Sequence, residues 1–114
     1  MLFRSIEQAG SWAATTRELA IERGANRVGR AYTVDLLVAG RRDVEKISQS
    51  LEPSTLPESL RARAPAAVAR LDTLMRQTAD AVRRGDPLAL GAAAASADAL
   101  GDTLRALHEA MGAK

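Results

Sequence analysis

Apolar positions recur at intervals of three and four along most of the chain, the spacing of one face of an α-helix, and no period-two alternation persists over a useful length. Two segments show the pattern best. Val68, Leu71, Met75, Thr78 and Val82 form one line, and Ala97, Leu100, Leu104, Leu107 and Met111 form another. Both follow the 3.5-residue period of coiled-coil-like packing. Opposite the second line, the run AAAASA at 92–97 supplies small side chains that allow close helix contact. Nearer the start, Trp12, Thr16 and Leu19 form a line, then Val28, Tyr32, Leu36 and Ala39, then Val44, Ile47 and Leu51.

Helix-breaking residues divide these lines. In VRRGDPLAL, residues 82–90, Arg83 and Arg84 suit the negative end of a helix, and Gly85 suits the left-handed position beyond it. Asp86 can cap the next helix, with Pro87 at its first position. The spacing predicts a tight helix–helix turn. In SLEPSTLPESL, residues 50–60, Pro53 is expected to end the preceding helix. Thr55 and Glu58 are spaced as a capping box, and Pro57 suits a first turn, so the following helix is expected from about Leu56 to Arg84. Pro65 either kinks that helix or marks the start of its regular part.

Segments 25–51, 56–84 and 87–111 are then similar in length. This predicts an all-α fold, an antiparallel helical bundle of three helices with a long first helix, bent or broken near Gly24. A single helix over 6–51 would be about 68 Å long. The alternative is a four-helix bundle with a turn at 23–26. In the three-helix arrangement residues 6–23 overhang. Their apolar line around Trp12 then needs a partner, either a second copy of the chain or an upstream part of it.

The first five residues, MLFRS, look extraneous. Back-translated as CTC-TTC-CGA-TCT, LFRS reproduces the tail of a common sequencing adapter, and a preceding GTG supplies Met1 in frame. Residues 1–5 are therefore expected to be an adapter-derived scar, and 6–114 a single helical domain, the C-terminal fragment of a longer protein. Ser5 and Gln8 nevertheless have capping-box spacing.

Composition narrows the function classes. Hydrophobic residues make up 46%, much of it alanine, with one Phe, one Tyr and one Trp, so the core must be built from small and aliphatic side chains. Sixteen basic residues meet 14 acidic ones, and signs alternate in RELAIERGANR and RRDVEK, which argues against a nucleic-acid interface. The absence of cysteine excludes disulfides and thiolate chemistry. No stretch approaches the roughly 18 apolar residues of a membrane span.

Candidate chemistry is sparse. His108 and its neighbour Glu109 point about 100° apart on a helix, and neither Glu-x-x-His nor His at i and i+4 is present. Asp98 and Asp102 share a helix face, as do Glu18 and Glu22, and such carboxylate pairs can hold a hard cation. Arg105 can neutralise Asp102 across one turn. The low-ranking metal candidates are thus Asp98 and Asp102. Arg84-Gly85-Asp86 spells a cell-adhesion tripeptide, but helix-ending and helix-starting preferences account for it. No nucleophile–base–orienter set can be drawn, so neither an enzyme nor a cofactor is expected.

Two resemblances follow from these residues. The carboxylate spacing in DALGD and ELAIE resembles the E/D-x-x-x-D pairs of PhoU-like phosphate-signalling bundles, which implies a free-standing regulatory bundle binding a cation or small ligand. The Ala/Arg-rich hairpin LDTLMRQTADAVRRGDPLAL…ADALGDTLRALHEA, over about residues 25–112, resembles the soluble helical region of bacterial FUSC-type transporters, themselves likened to aromatic-acid exporters. That resemblance implies a non-catalytic accessory or assembly domain. It would be cytoplasmic, tethered to the inner membrane through upstream sequence, and without transport residues of its own.

Overall fold

The computed structural model describes residues 2–51 and 56–112. Among them four α-helices follow one another: α1 Leu2–Gly24, α2 Arg30–Ser50, α3 Arg63–Arg84 and α4 Pro87–Gly112. A short 3-10 turn, Glu58–Leu60, precedes α3, and the described residues contain no strand. Each helix packs beside its sequence neighbour, and α1 closes the ring by packing most extensively on α4. The result is an up-down-up-down bundle with extents of 43 × 21 × 17 Å. None of these helices is long and apolar enough to cross a membrane.

The three-helix expectation is corrected to four helices, the arrangement given as its alternative with a turn at 23–26. An uninterrupted helix over 6–51 would exceed the 43 Å length of the bundle. The break is made by Asn26, not by Gly24, which is still helical. Asn26 takes φ 59°, the left-handed conformation that Asn tolerates better than most residues. The Asn26 N–H donates to the Arg23 carbonyl and the Arg27 N–H to the Glu22 carbonyl, a Schellman closure. Arg23 then ties the loop down, its guanidinium donating to the Val28 carbonyl at 2.7 Å and to Asn26 Oδ1 at 3.2 Å.

The second tight turn forms as its residues predict. Gly85 adopts φ 63°, ψ 44°, its N–H donating to the Val82 carbonyl while the Asp86 N–H donates to that of Ala81. Asp86 Oδ1 accepts from the Ala89 N–H at 3.1 Å and caps α4, with Pro87 at the first helical position. The 50–60 boundary differs from expectation. Pro57 and Glu58 enter the 3-10 turn, and regular helix starts at Arg63 with Pro65 in its first turn. Pro53 and Thr55 lie outside the described residues. Ser5 does not cap α1, because the helix already begins at Leu2; its hydroxyl lies 3.1 Å from that of Ser50 on α2.

The overhang is also corrected: α1 is fully engaged, and its buried face is Ile6, Ala9, Ala13, Thr16, Leu19 and Ala20. The α3 line is buried in full, as is the α4 line from Ala97 to Leu107, with Met111 half-buried. Along α2 and into its C-cap the Val44, Ile47 and Leu51 line is buried as expected, but over the first half of the helix the buried face turns by one residue from the expected one. Thr33, Leu37, Gly40, Val44 and Ile47 are buried, while Tyr32 and Ala39 are exposed. The buried hydroxyls of Thr16, Thr33 and Thr78 each donate to the carbonyl four residues back, at 2.7–2.8 Å. They satisfy themselves within their own helices and need no partner across the core.

Gly40 sets the spacing of three helices. A Cβ there would stand 2.5 Å and 2.7 Å from ring atoms of Trp12 and 2.6 Å from the Met75 methyl. The indole of α1 thus lies on bare α2 backbone, with α3 closing the contact. Met75 can swing aside, but the half-buried indole is a rigid plate. Gly40→Ala is expected to destabilise the fold by roughly 1–3 kcal/mol despite its better helix propensity, as for other overpacked cores. Urea unfolding checks this, and equal or greater stability would refute the close approach. Asn26→Val is expected to lower stability by about 1–2 kcal/mol and Asn26→Gly to leave it unchanged or higher, because only the β-branched side chain is strained at positive φ.

Candidate functional site

Three of the sequence candidates, Glu18, Asp98 and His108, meet on one flank of the bundle, where antiparallel α1 and α4 leave an open groove of about 470 Å³. Small residues make its floor: Gly10 and Ala14 from α1, Ala97 and Gly101 from α4. A Cβ added at Gly10 or Gly101 would meet nothing within 4 Å. The groove is held at this width by the buried seam beneath it, where Ala9, Ala13 and Ala20 of α1 lie on the same pair of helices as Ala93 and Ala97 of α4. Small side chains let the two backbones approach, so the outer surface between them stays shallow and bare.

Charged residues of both signs rim the groove. Arg17 Nε lies 3.5 Å from Asp98 Oδ1, an ion pair that bridges the helices. Arg17 also reaches Glu18 Oε1 at 3.2 Å on its own helix. At the far end His108 Nε2 stands 3.9 Å from Glu7 Oε2, and His108 is mostly buried at 28% side-chain exposure. Arg105 completes the rim and pairs with Asp102 at 3.1 Å, the i+3 pairing its spacing suggests.

The two aspartates are therefore separated by their surroundings. Asp98 lines the groove, whereas Asp102 is not among its lining residues and is occupied by Arg105. Glu18 lines the groove, and Glu22 pairs instead with Arg27 at 3.1 Å. Glu109 is exposed. Among the described residues no group of three or more His, Cys, Asp or Glu side chains could hold a metal ion. What sequence reasoning missed is the floor. Gly10 and Gly101 sit inside helices, far from any turn, and that position was the available signal.

On the opposite flank, Arg41 grips Asp72 with two hydrogen bonds, Nε–Oδ1 at 3.1 Å and Nη2–Oδ2 at 3.4 Å, joining α2 to α3. This fork geometry fixes the register of the pair. The Arg17–Asp98 pair is more open, its side chains 42% and 68% exposed. Its coupling in an Arg17→Ala/Asp98→Ala double-mutant cycle is expected to be about 0.2–1 kcal/mol and to vanish in high salt. A larger, salt-independent coupling would show that the pair fixes the α1–α4 register.

No protein-family model matches the chain, and neither a curated protein nor a solved structure matches it.

Proposed function

We propose that the chain is a non-catalytic helical assembly module whose α1–α4 groove receives a helix from a second copy. The observation that carries this reading is the glycine floor. Gly in a helix interior costs roughly 1 kcal/mol relative to Ala. Gly10 and Gly101 bear that cost although nothing in the bundle would meet an added Cβ. The close approach of another backbone supplies a reason for both. The rim supports a second copy as the occupant, because α1 offers Glu7, Arg17 and Glu18 while α4 offers Asp98 and Arg105. Both signs on both helices are what a self-complementary two-fold interface requires. The setting implied by the FUSC-type resemblance, an accessory domain beside a membrane exporter, is compatible with such a module and belongs to the same proposal.

Sedimentation equilibrium from micromolar to near-millimolar concentration is expected to show a reversible dimer. The variant Gly10→Leu/Gly101→Leu is expected to weaken it at least tenfold while keeping full helicity, since the new side chains fill the open groove and a Cβ at either position meets nothing within 4 Å. A wild-type chain that stays monomeric throughout overturns the reading.

A regulatory bundle that binds a cation or small ligand is the second reading. Its support is the presence of Asp98 and Glu18 in one groove, with Arg17 between them as the charge a cation would displace. Calcium or magnesium would then raise the melting temperature, Asp98→Asn would abolish the rise, and Asp102→Asn would leave it intact. No rise with either ion removes the cation form of this reading.

A further inference from the structure

The three large hydrophobic residues that stand exposed among the described residues all lie at the same end of the bundle. They are Ile21 at 38%, Tyr32 at 60% and Leu88 at 87% exposure. Ile21 is in the last turn of α1, Tyr32 in the first turn of α2 and Leu88 at the second position of α4. The Asn26 loop and the Gly85 turn form this end together. Arg30 Nη2 of α2 reaches the second turn, 3.5 Å from where a Gly85 Cβ would stand. Single exposed apolar residues need no explanation, but three confined to one end of the bundle do.

The same end is basic. Within one helical turn of it lie Arg23, Arg27, Arg30, Arg83 and Arg84, against the carboxylates Glu22 and Asp86. That excess is larger than the whole chain's net charge of +2. The ion pairs present are weak, each with its arginine exposed. Arg27 meets Glu22 at 3.1 Å and Arg84 meets Asp86 at 3.9 Å, while Arg83 pairs at 3.2 Å with Asp80, just below. Such pairs are readily exchanged for other anions.

We propose that this end docks peripherally on an anionic lipid surface, with Leu88, Tyr32 and Ile21 entering the headgroup layer and Arg27, Arg30, Arg83 and Arg84 binding lipid phosphates. Apolar residues interleaved with arginine are what an interfacial anchor combines. Tyr suits the boundary itself, with an apolar ring and a polar tip. The shape favours lipid over a folded acidic protein. Leu88 projects from the tip of a tight turn, and a soft bilayer accepts a projection without a matching cavity. This surface is distinct from the α1–α4 groove, so it stands or falls separately from the dimer.

The test is co-sedimentation of the full chain with vesicles of phosphatidylcholine, with and without phosphatidylglycerol, at low and high salt. Binding is expected only with phosphatidylglycerol and only at low salt. Arg30→Ala is expected to weaken it about fivefold. Leu88→Asp is expected to abolish it, both variants retaining the wild-type circular dichroism. In Leu88→Trp, emission beyond that of Trp12 is expected to shift to the blue on adding these vesicles, a readout that does not depend on the weakened variants. No binding to phosphatidylglycerol, equal binding to pure phosphatidylcholine, or an unshifted emission from the indole introduced by Leu88→Trp each overturns the proposal. So does binding to poly-glutamate without binding to vesicles, which would assign the end to an acidic protein.

Discussion

The contact of the Trp12 indole with the bare backbone of Gly40 governs how the helices meet. A ring that size normally holds two helices apart. Here the missing side chain on α2 receives it, and the Met75 methyl from α3 seals the edge. Three of the four helices are thereby brought together around Trp12, the one large aromatic side chain packed against the core among the described residues. Elsewhere the core is Ala, Leu, Val and Ile, which bury less area per residue and pack acceptably in more than one way. The indole is the piece that fits in only one place, and it gives an otherwise permissive core a defined arrangement.

On the other side of α1 the logic is reversed. Among the described side chains no aromatic ring is placed between α1 and α4, whose buried faces mix Ala9, Ala13 and Ala20 with Ile6 and Leu19 on one helix and Ala93 and Ala97 with leucines on the other. Close approach brings dispersion contacts along the whole length of both helices, individually tiny and collectively large. It also leaves the outside of the pair as a trench with a glycine and alanine floor and a rim of both charge signs. The groove is thus a by-product of the same small-residue packing that recruits α1 into the bundle. A helix expected to hang free is instead the one most fully paired.

Both tight connections use one chemical solution, a left-handed residue closing a Schellman pair, once with Asn26 and once with Gly85. Because the helices alternate in direction, these two connections share an end of the bundle. Arginines favoured near helix C-termini by the macrodipole therefore gather there from α1 and α3 at once. The basic character of that end follows from topology acting on ordinary capping preferences. The exposed Leu88 and Tyr32 do not follow from capping, and they are what give this end a chemistry different from the rest of the surface.

Much of this was legible in the amino-acid order, and the residues show why. The α3 and α4 lines were plain because Leu, Met and Val mark a buried face by size, and the Gly85–Asp86–Pro87 turn was plain because each residue has one strong local preference. The break at Asn26 was obscured by two neighbouring glycines with stronger textual claims, since a left-handed Asn is chosen by what the loop must connect. The inward face of α1 was legible only through Trp12, Thr16 and Leu19, and the first half of α2 was misread, because alanine and glycine carry little hydrophobic signal: Ala9, Ala13 and Gly40 are buried while Tyr32 is exposed. Local order by itself determined that the chain is helical, where α3 and α4 meet, and which way their apolar faces turn. Tertiary structure decided between an overhanging and a folded-back α1, and it alone decided that Trp12 lies on Gly40 and that Asp98 and Glu18 share a groove with Arg17 while Asp102 does not. The physical reason is that small residues specify no partner themselves. Their contribution is the space they leave, and only an adjacent helix gives that space a meaning.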